Sequence, residues 1–144
     1  MRVAEMVALL VLLALLAVLA AIGVRRLQLL RRGGTQVVLR RLPAPAGRGW
    51  RHGVVRYREE YLVFFRVSSL RSGADRRVAR RSLVVLERRQ PEASERELVP
   101  AGSTVIRFRD DAGEAEVALG AGALTAFLSW VESSPPGRAE RARR

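Results

Sequence analysis

The chain predicts a membrane-anchored, mainly β protein. An N-terminal transmembrane helix is followed by six or seven strands that form a small barrel or sandwich, capped by a C-terminal helix. Three observations carry this reading. Residues 6–24 are an unbroken apolar run, long enough at about 1.5 Å per residue to cross a hydrocarbon core of roughly 30 Å. Between Gln36 and Leu119, short β-branched or alternating apolar segments recur between Gly, Pro and charged breaks. Near the end the period changes: Leu124, Phe127, Leu128 and Val131 fall at i, i+3, i+4 and i+7, one stripe of a helix over about 123–133.

The apolar run is closed by Arg25 and Arg26, and again by Arg31 and Arg32. A cleaved signal peptide is the competing reading, with Ala21-Ile22-Gly23 as a small-x-small site. The length of the run and the arginines directly behind it favour an anchor. The N-terminal side, residues 1–5, offers only Arg2 and the α-amino group, with Glu5 nearby. Positive flanks stay in the cytoplasm, so the N-terminus is expected outside and the C-terminal domain inside. Arg25 to Arg32 continues the helix as a basic collar, and Gly33-Gly34 ends the 25–34 segment as a hinge.

The remaining chain suits one domain, residues 35–134, followed by a basic tail over 135–144 expected to be disordered. Cysteine is absent, which excludes a disulfide framework and any thiolate metal site. All 26 basic residues are arginine, against 14 acids, giving a net charge of +12. From Arg25 to Arg58 there is no acid, whereas from Pro91 to Gly120 acids prevail.

The first strand is expected over Gln36–Leu42, stopped by Pro43-Ala44-Pro45. His52–Arg58 and Tyr61–Ser68 form a hairpin across Glu59-Glu60, with Leu62 and Phe64 on one face and Tyr61, Val63, Phe65 and Val67 on the other. Residues 71–81 read as an arginine-rich loop before a strand at Leu83–Arg88. Residues 91–102 are charged and irregular, with a short strand at Glu97–Val99. Thr104–Asp110 alternates with Ile106 and Phe108 inward and Arg107 and Arg109 outward. Asp111-Ala112-Gly113 turns it into Glu114–Leu119, with Ala115, Val117 and Leu119 inward. Trp130 falls at the edge of the helical stripe.

This order of elements resembles pleckstrin-homology-like domains, which have seven strands and a closing C-terminal helix. That resemblance is architectural and covers residues 35–134. A second resemblance lies in the residues themselves. Gly33-Gly34-Thr35, Gly49-Trp50-Arg51-His52-Gly53-Val54 with Arg56-Tyr57, Ser68-Ser69-Leu70-Arg71, Asp75-Arg76-Arg77 and Gly122 through Trp130 are similar to a family of small actinobacterial single-pass membrane proteins of unknown function. Members are sometimes encoded beside the ATP synthase genes and often labelled secreted. The resemblance implies no activity, and its secreted label conflicts with the arginine flanks.

No reaction chemistry stands out. His52 is the single histidine, no nucleophile elbow accompanies it, and a structural role at a strand start is expected. Gly47 and Gly49 bracket Arg48 without a phosphate-binding glycine motif and are expected to shape a loop. Asp110, Asp111, Glu114 and Glu116 could hold a hard cation but read as solvated surface, so neither metal nor cofactor is expected. The sharper candidate is the arginine block Arg40, Arg41, Arg48, Arg51, Arg56 and Arg58, because guanidinium forks bind phosphate. The expectation is a non-catalytic adaptor or scaffold at the inner membrane, touching anionic lipid headgroups through these arginines and a protein partner elsewhere. An accessory subunit of a larger membrane complex is the alternative, ahead of an enzyme with an unfamiliar site. Nucleic acid is disfavoured, because no exposed aromatic pattern of an RNA-binding sheet accompanies the basic charge.

Overall fold

The computed structural model describes residues 2–31, 33–69 and 73–133. The expected tail over 135–144 lies outside the described residues. Two compact units divide the chain, Met1–Gly33 and Gly34–Arg144.

The first unit is one helix, α1 (Val3–Arg31). Its stretch Val3–Arg25 is long and apolar enough to cross a membrane. The helix runs on through the basic collar, as the flanking arginines led us to expect.

The second unit holds seven antiparallel strands: β1 (Thr35–Arg41), β2 (Arg51–Tyr57), β3 (Tyr61–Arg66), β4 (Arg76–Ala79), β5 (Val84–Arg89), β6 (Thr104–Asp110) and β7 (Gly113–Leu119). They form one curled sheet in the order β4-β3-β2-β1-β7-β6-β5. A single 3-10 turn, Arg80–Ser82, carries the chain from one edge strand to the other. The closing helix, α2 (Ala121–Glu132), completes a half-barrel, in keeping with the expected small barrel or sandwich capped by a C-terminal helix.

Alternation decides which face is core. Val37, Leu39, Val55, Leu62, Phe64, Ile106, Phe108, Ala115, Val117 and Leu119 line the inner face, and α2 lays Leu124, Phe127 and Trp130 onto them. Burying each such side chain contributes on the order of 1.5–3 kcal/mol. The residual enclosed space in this core is about 10 Å³, room for one water at most, so the half-barrel does not house a ligand there. A smaller cluster on the outer face joins Val38, Trp50, Val99, Val105 and Ala118.

Three local expectations are corrected. The loop expected over 71–81 contains β4, whose Val78 is buried opposite Leu62. The strand expected at Glu97–Val99 is a series of turns, held by backbone bonds from Leu98 N and Val99 N to Glu95 O. Trp130 is also not at an edge: it is 7% exposed, donates Nε1–H to Arg58 O at 2.7 Å and stacks near Tyr57.

Candidate functional site

The six arginines proposed as one patch are separated by the register. Arg40 is buried on β1, its guanidinium stacked 4.7 Å from the Trp50 ring centroid. Its Nη2 bonds Glu95 Oε1 at 3.0 Å and Glu116 Oε2 at 2.6 Å. Arg89 completes the network, with Nη1 on Glu95 Oε2 at 2.7 Å and Nη2 on Glu116 Oε2 at 3.1 Å. Arg40 is therefore a structural ion-pair residue and presents no charge to a surface.

Arg41, Arg48 and Arg51 are exposed where β1 ends and β2 begins. Gly47 and Gly49 turn the chain between them with positive φ, as their spacing suggested. Arg56 lies toward the other end of β2, about 17 Å from Arg51 at roughly 3.3 Å per residue, and Arg58 follows just past that end. There the pairing of β2, β3 and β4 sets Arg56 opposite Val63 and Val63 opposite Arg77 on the outer face. Arg58 continues this row, its amide bonded to Tyr61 O.

Three of these strands' neighbours make the arginines rigid. Arg56 stacks 5.1 Å from the Phe65 ring centroid, Arg77 4.8 Å from Tyr61, and Arg80 4.7 Å from Trp130. Nε and Nη2 of Arg56, the donors of one bidentate edge, are shielded from water and have no hydrogen-bond partner. Shielded donors without an acceptor cost about 1–3 kcal/mol each. Arg77, on β4, and Arg80, in the turn that follows it, escaped the sequence reading because the strand itself did. The Tyr57 hydroxyl also lacks a partner, and burial pushes its pKa up to about 12.

Charge is divided across the domain. Residues 35–82 carry twelve arginines against three acids, and residues 83–133 carry five against nine. An open cleft of about 670 Å³ is lined by residues of both halves: Arg40, Leu42, Pro43 and Ala44 from the first, and Glu87, Arg89, Glu92, Arg107, Glu114 and Glu116 from the second. Neither this cleft nor the core cavity is lined by His52, which is exposed and accepts a backbone bond from Val67.

The carboxylates expected on solvated surface are mostly committed elsewhere. Asp110 is buried against Arg76, Glu116 is buried in the Arg40 network, and Glu114 is shared by Arg107 and Arg109. Asp111 alone of the four is exposed without a recorded ion pair among the described residues. No group of three metal-capable side chains occurs among the described residues. The Arg89 guanidinium holds the Glu95 carboxyl below the usual carboxylate range, so Glu95 is ionised at neutral pH.

A long apolar helix followed by a seven-strand half-barrel and a closing helix defines the architecture of this chain. The chain belongs to the family described as protein of unknown function DUF2550, whose model matches residues 10–137. It is 46% identical over 120 residues to uncharacterised proteins of Mycobacterium leprae (strain TN) and Mycobacterium tuberculosis (strain H37Rv), covering 81% of this chain and 82% of each relative. These mycobacterial relatives agree with the actinobacterial resemblance of the sequence. No solved structure matches the chain.

Proposed function

We propose that this protein is a non-catalytic, single-pass membrane adaptor whose basic half contacts anionic lipid headgroups while its acidic half remains free for a protein partner. In this reading α1 is the anchor, and Arg25, Arg26, Arg31 and Arg32 keep the domain on the cytoplasmic side. The seven-strand order with a helix closing the inner face accords with a pleckstrin-homology-like domain, a likeness of topology alone.

The observation that carries the reading is the outer face of β2–β4. Arg56, Arg58 and Arg77 share it, and Arg58 and Arg77 are exposed there. Exposed guanidinium forks fit a headgroup phosphate in bidentate fashion. Thr35, the first residue of β1, pairs with Val55, so the chain coming from α1 enters the domain at the end that bears Arg56 and Arg58. Guanidinium groups cap the rings of Phe65 and Tyr61. Those rings are thus unavailable for base stacking, which favours lipid phosphate over RNA.

The test uses the compact unit 34–144 with vesicles of phosphatidylglycerol or phosphatidylcholine. Binding should require the anionic lipid and weaken with salt. Arg56→Gln with Arg58→Gln should weaken it by about 2 kcal/mol, roughly thirtyfold, at about 1 kcal/mol per surface arginine. Equal binding to both lipids, or no effect of the double substitution, would overturn the reading.

A further inference from the structure

β5 ends the strand order and pairs only with β6 among the described residues, so one side of it is a free edge. Among the described residues beyond α1, the exposed large apolar side chains are Val84, Val85, Leu86 and Leu98, and three of these four are consecutive on β5. Val84 is 55% exposed. Single exposed apolar residues are ordinary on a protein surface, whereas three in succession on a free edge mark a contact. Their surroundings are basic. Arg81 and Arg88 flank them and are exposed, while Glu87 stands opposite Arg107 on β6, which matches its charge. Arg80 ties the approach to this segment to the basic end of β2. Its amide bonds Glu60 O at 2.8 Å, and its guanidinium lies over Trp130, whose indole bonds Arg58 O. Val84 follows four residues later, at most about 14 Å of chain away.

We infer that Val84, Val85 and Leu86 immerse in the outermost acyl region of the membrane while the arginines around them hold the headgroups. This rests on the lipid-binding half of the adaptor reading and deepens it, adding an apolar component to a contact argued there from charge alone. Two features favour lipid over another strand as the occupant. The ladder between β5 and β6 shifts register between Val85 and Glu87, so the edge is bulged at Leu86. Bulged, charged edges resist strand addition, whether by a second copy or by a partner peptide. A bilayer requires no backbone register. The side chains enter the boundary between headgroups and acyl chains, and the free edge stays at the wet level, where its amides and carbonyls keep water. The second feature is charge. An antiparallel copy centred on the apolar triplet would bring Arg81 and Arg88 beside the same arginines of its mate, whereas anionic headgroups complement them.

The experiment uses the full chain in nanodiscs of phosphatidylcholine with phosphatidylglycerol, one chain per disc. The chain has no cysteine, so Val84→Cys carries an environment-sensitive fluorophore on the edge and Ala46→Cys carries the same label as a control. Ala46 is exposed in the loop between β1 and β2, at the end of β2 remote from Arg56. Two quenchers report the surroundings of each label: a nitroxide on the upper acyl carbons of the lipid, and iodide in the water.

The label at position 84 should be quenched by the lipid nitroxide and shielded from iodide, and the label at position 46 should show the reverse. Adding Val85→Gln with Leu86→Gln should lower the ratio of immersed to free edge at least about tenfold. Both side chains are exposed, so the fold should persist, and an unchanged far-ultraviolet spectrum checks it. Equal iodide access at the two positions, equal nitroxide quenching, or indifference to the double substitution would each overturn the inference. So would shielding at 84 that arises only when two chains share a disc, which would make a second copy the occupant. The salt-sensitive binding of phosphatidylglycerol assigned to Arg56 and Arg58 stands or fails on its own vesicle measurement, so loss of immersion with that binding intact would overturn this inference alone.

Discussion

Arg76 on β4 and Asp110 on β6 form a two-point ion pair through the interior of the sheet, with Nη2 to Oδ1 at 2.7 Å and Nε to Oδ2 at 3.2 Å. In the strand order these two strands are five places apart, so only the curl of the sheet brings them together. Both side chains are 3% exposed or less. The pair fastens one edge of the half-barrel to the strands that belong to its far end.

Removing one partner should leave a buried charge without its counterion. Asp110→Asn or Arg76→Ala is expected to destabilise the domain by about 3–5 kcal/mol. Urea denaturation of residues 34–144 checks this. A replacement of both by apolar residues of similar volume should recover most of the loss.

The Arg40–Glu95–Arg89–Glu116 network pins the 90–103 segment to the outer face. Glu95 is fully buried, and Arg89 holds it ionised below the ordinary carboxylate range. A depressed folded-state pKa contributes stability above the unfolded value, near 4.3–4.5, and that contribution is lost as pH falls through the folded value. Stability should therefore be flat from about pH 7 to 5 and fall steeply below about 4.5. Glu95→Gln should be less stable at pH 7 and show a shallower acid limb, measured by thermal melts across that range.

Gly53 sits where β2 passes Phe64. A Cβ there would lie 2.3 Å from the Phe64 ring and 2.5 Å from Phe65 O. The carbonyl is backbone and cannot rotate away. Gly53→Ala should cost about 1–3 kcal/mol or more through overpacking, seen as a lowered melting temperature. This gives a packing reason for the glycine in the Gly-Trp-Arg-His-Gly stretch.

Arginine geometry, beyond charge, is expected to matter at one end of β2. Arg58→Lys keeps the net charge but loses the planar fork of an exposed arginine, so it should weaken binding to phosphatidylglycerol vesicles by about 1–2 kcal/mol. Arg51→Lys, at the other end, should bind like the wild type. Arg40→Gln is expected to act through stability, because its guanidinium is buried among carboxylates.

The parts of the fold legible in the sequence were those with clean periods. Thr104–Asp110 has the bounds its alternation indicated, and the stripe from Leu124 to Val131 is a helix within two residues of the expected ends. β4 was hidden because Arg76-Arg77-Val78-Ala79 offers a single large apolar residue among arginines. The acids on and before β7 looked like surface because their partners are remote: Arg40 is 76 residues from Glu116, and Arg76 is 34 from Asp110. The same remoteness made Arg40 look free. Burial of a charge is settled by tertiary partners, and no local pattern announces it. Register then split the arginine block into two ends of β2, a separation invisible in a list of positions.

Topology tests the central claim most directly, because every proposed contact depends on which side of the membrane the domain occupies. Ser68 is exposed and the chain has no native cysteine, so Ser68→Cys offers one reactive thiol. Intact cells treated with a membrane-impermeant maleimide should show no labelling until they are lysed. Labelling of intact cells would place the domain outside and contradict the account.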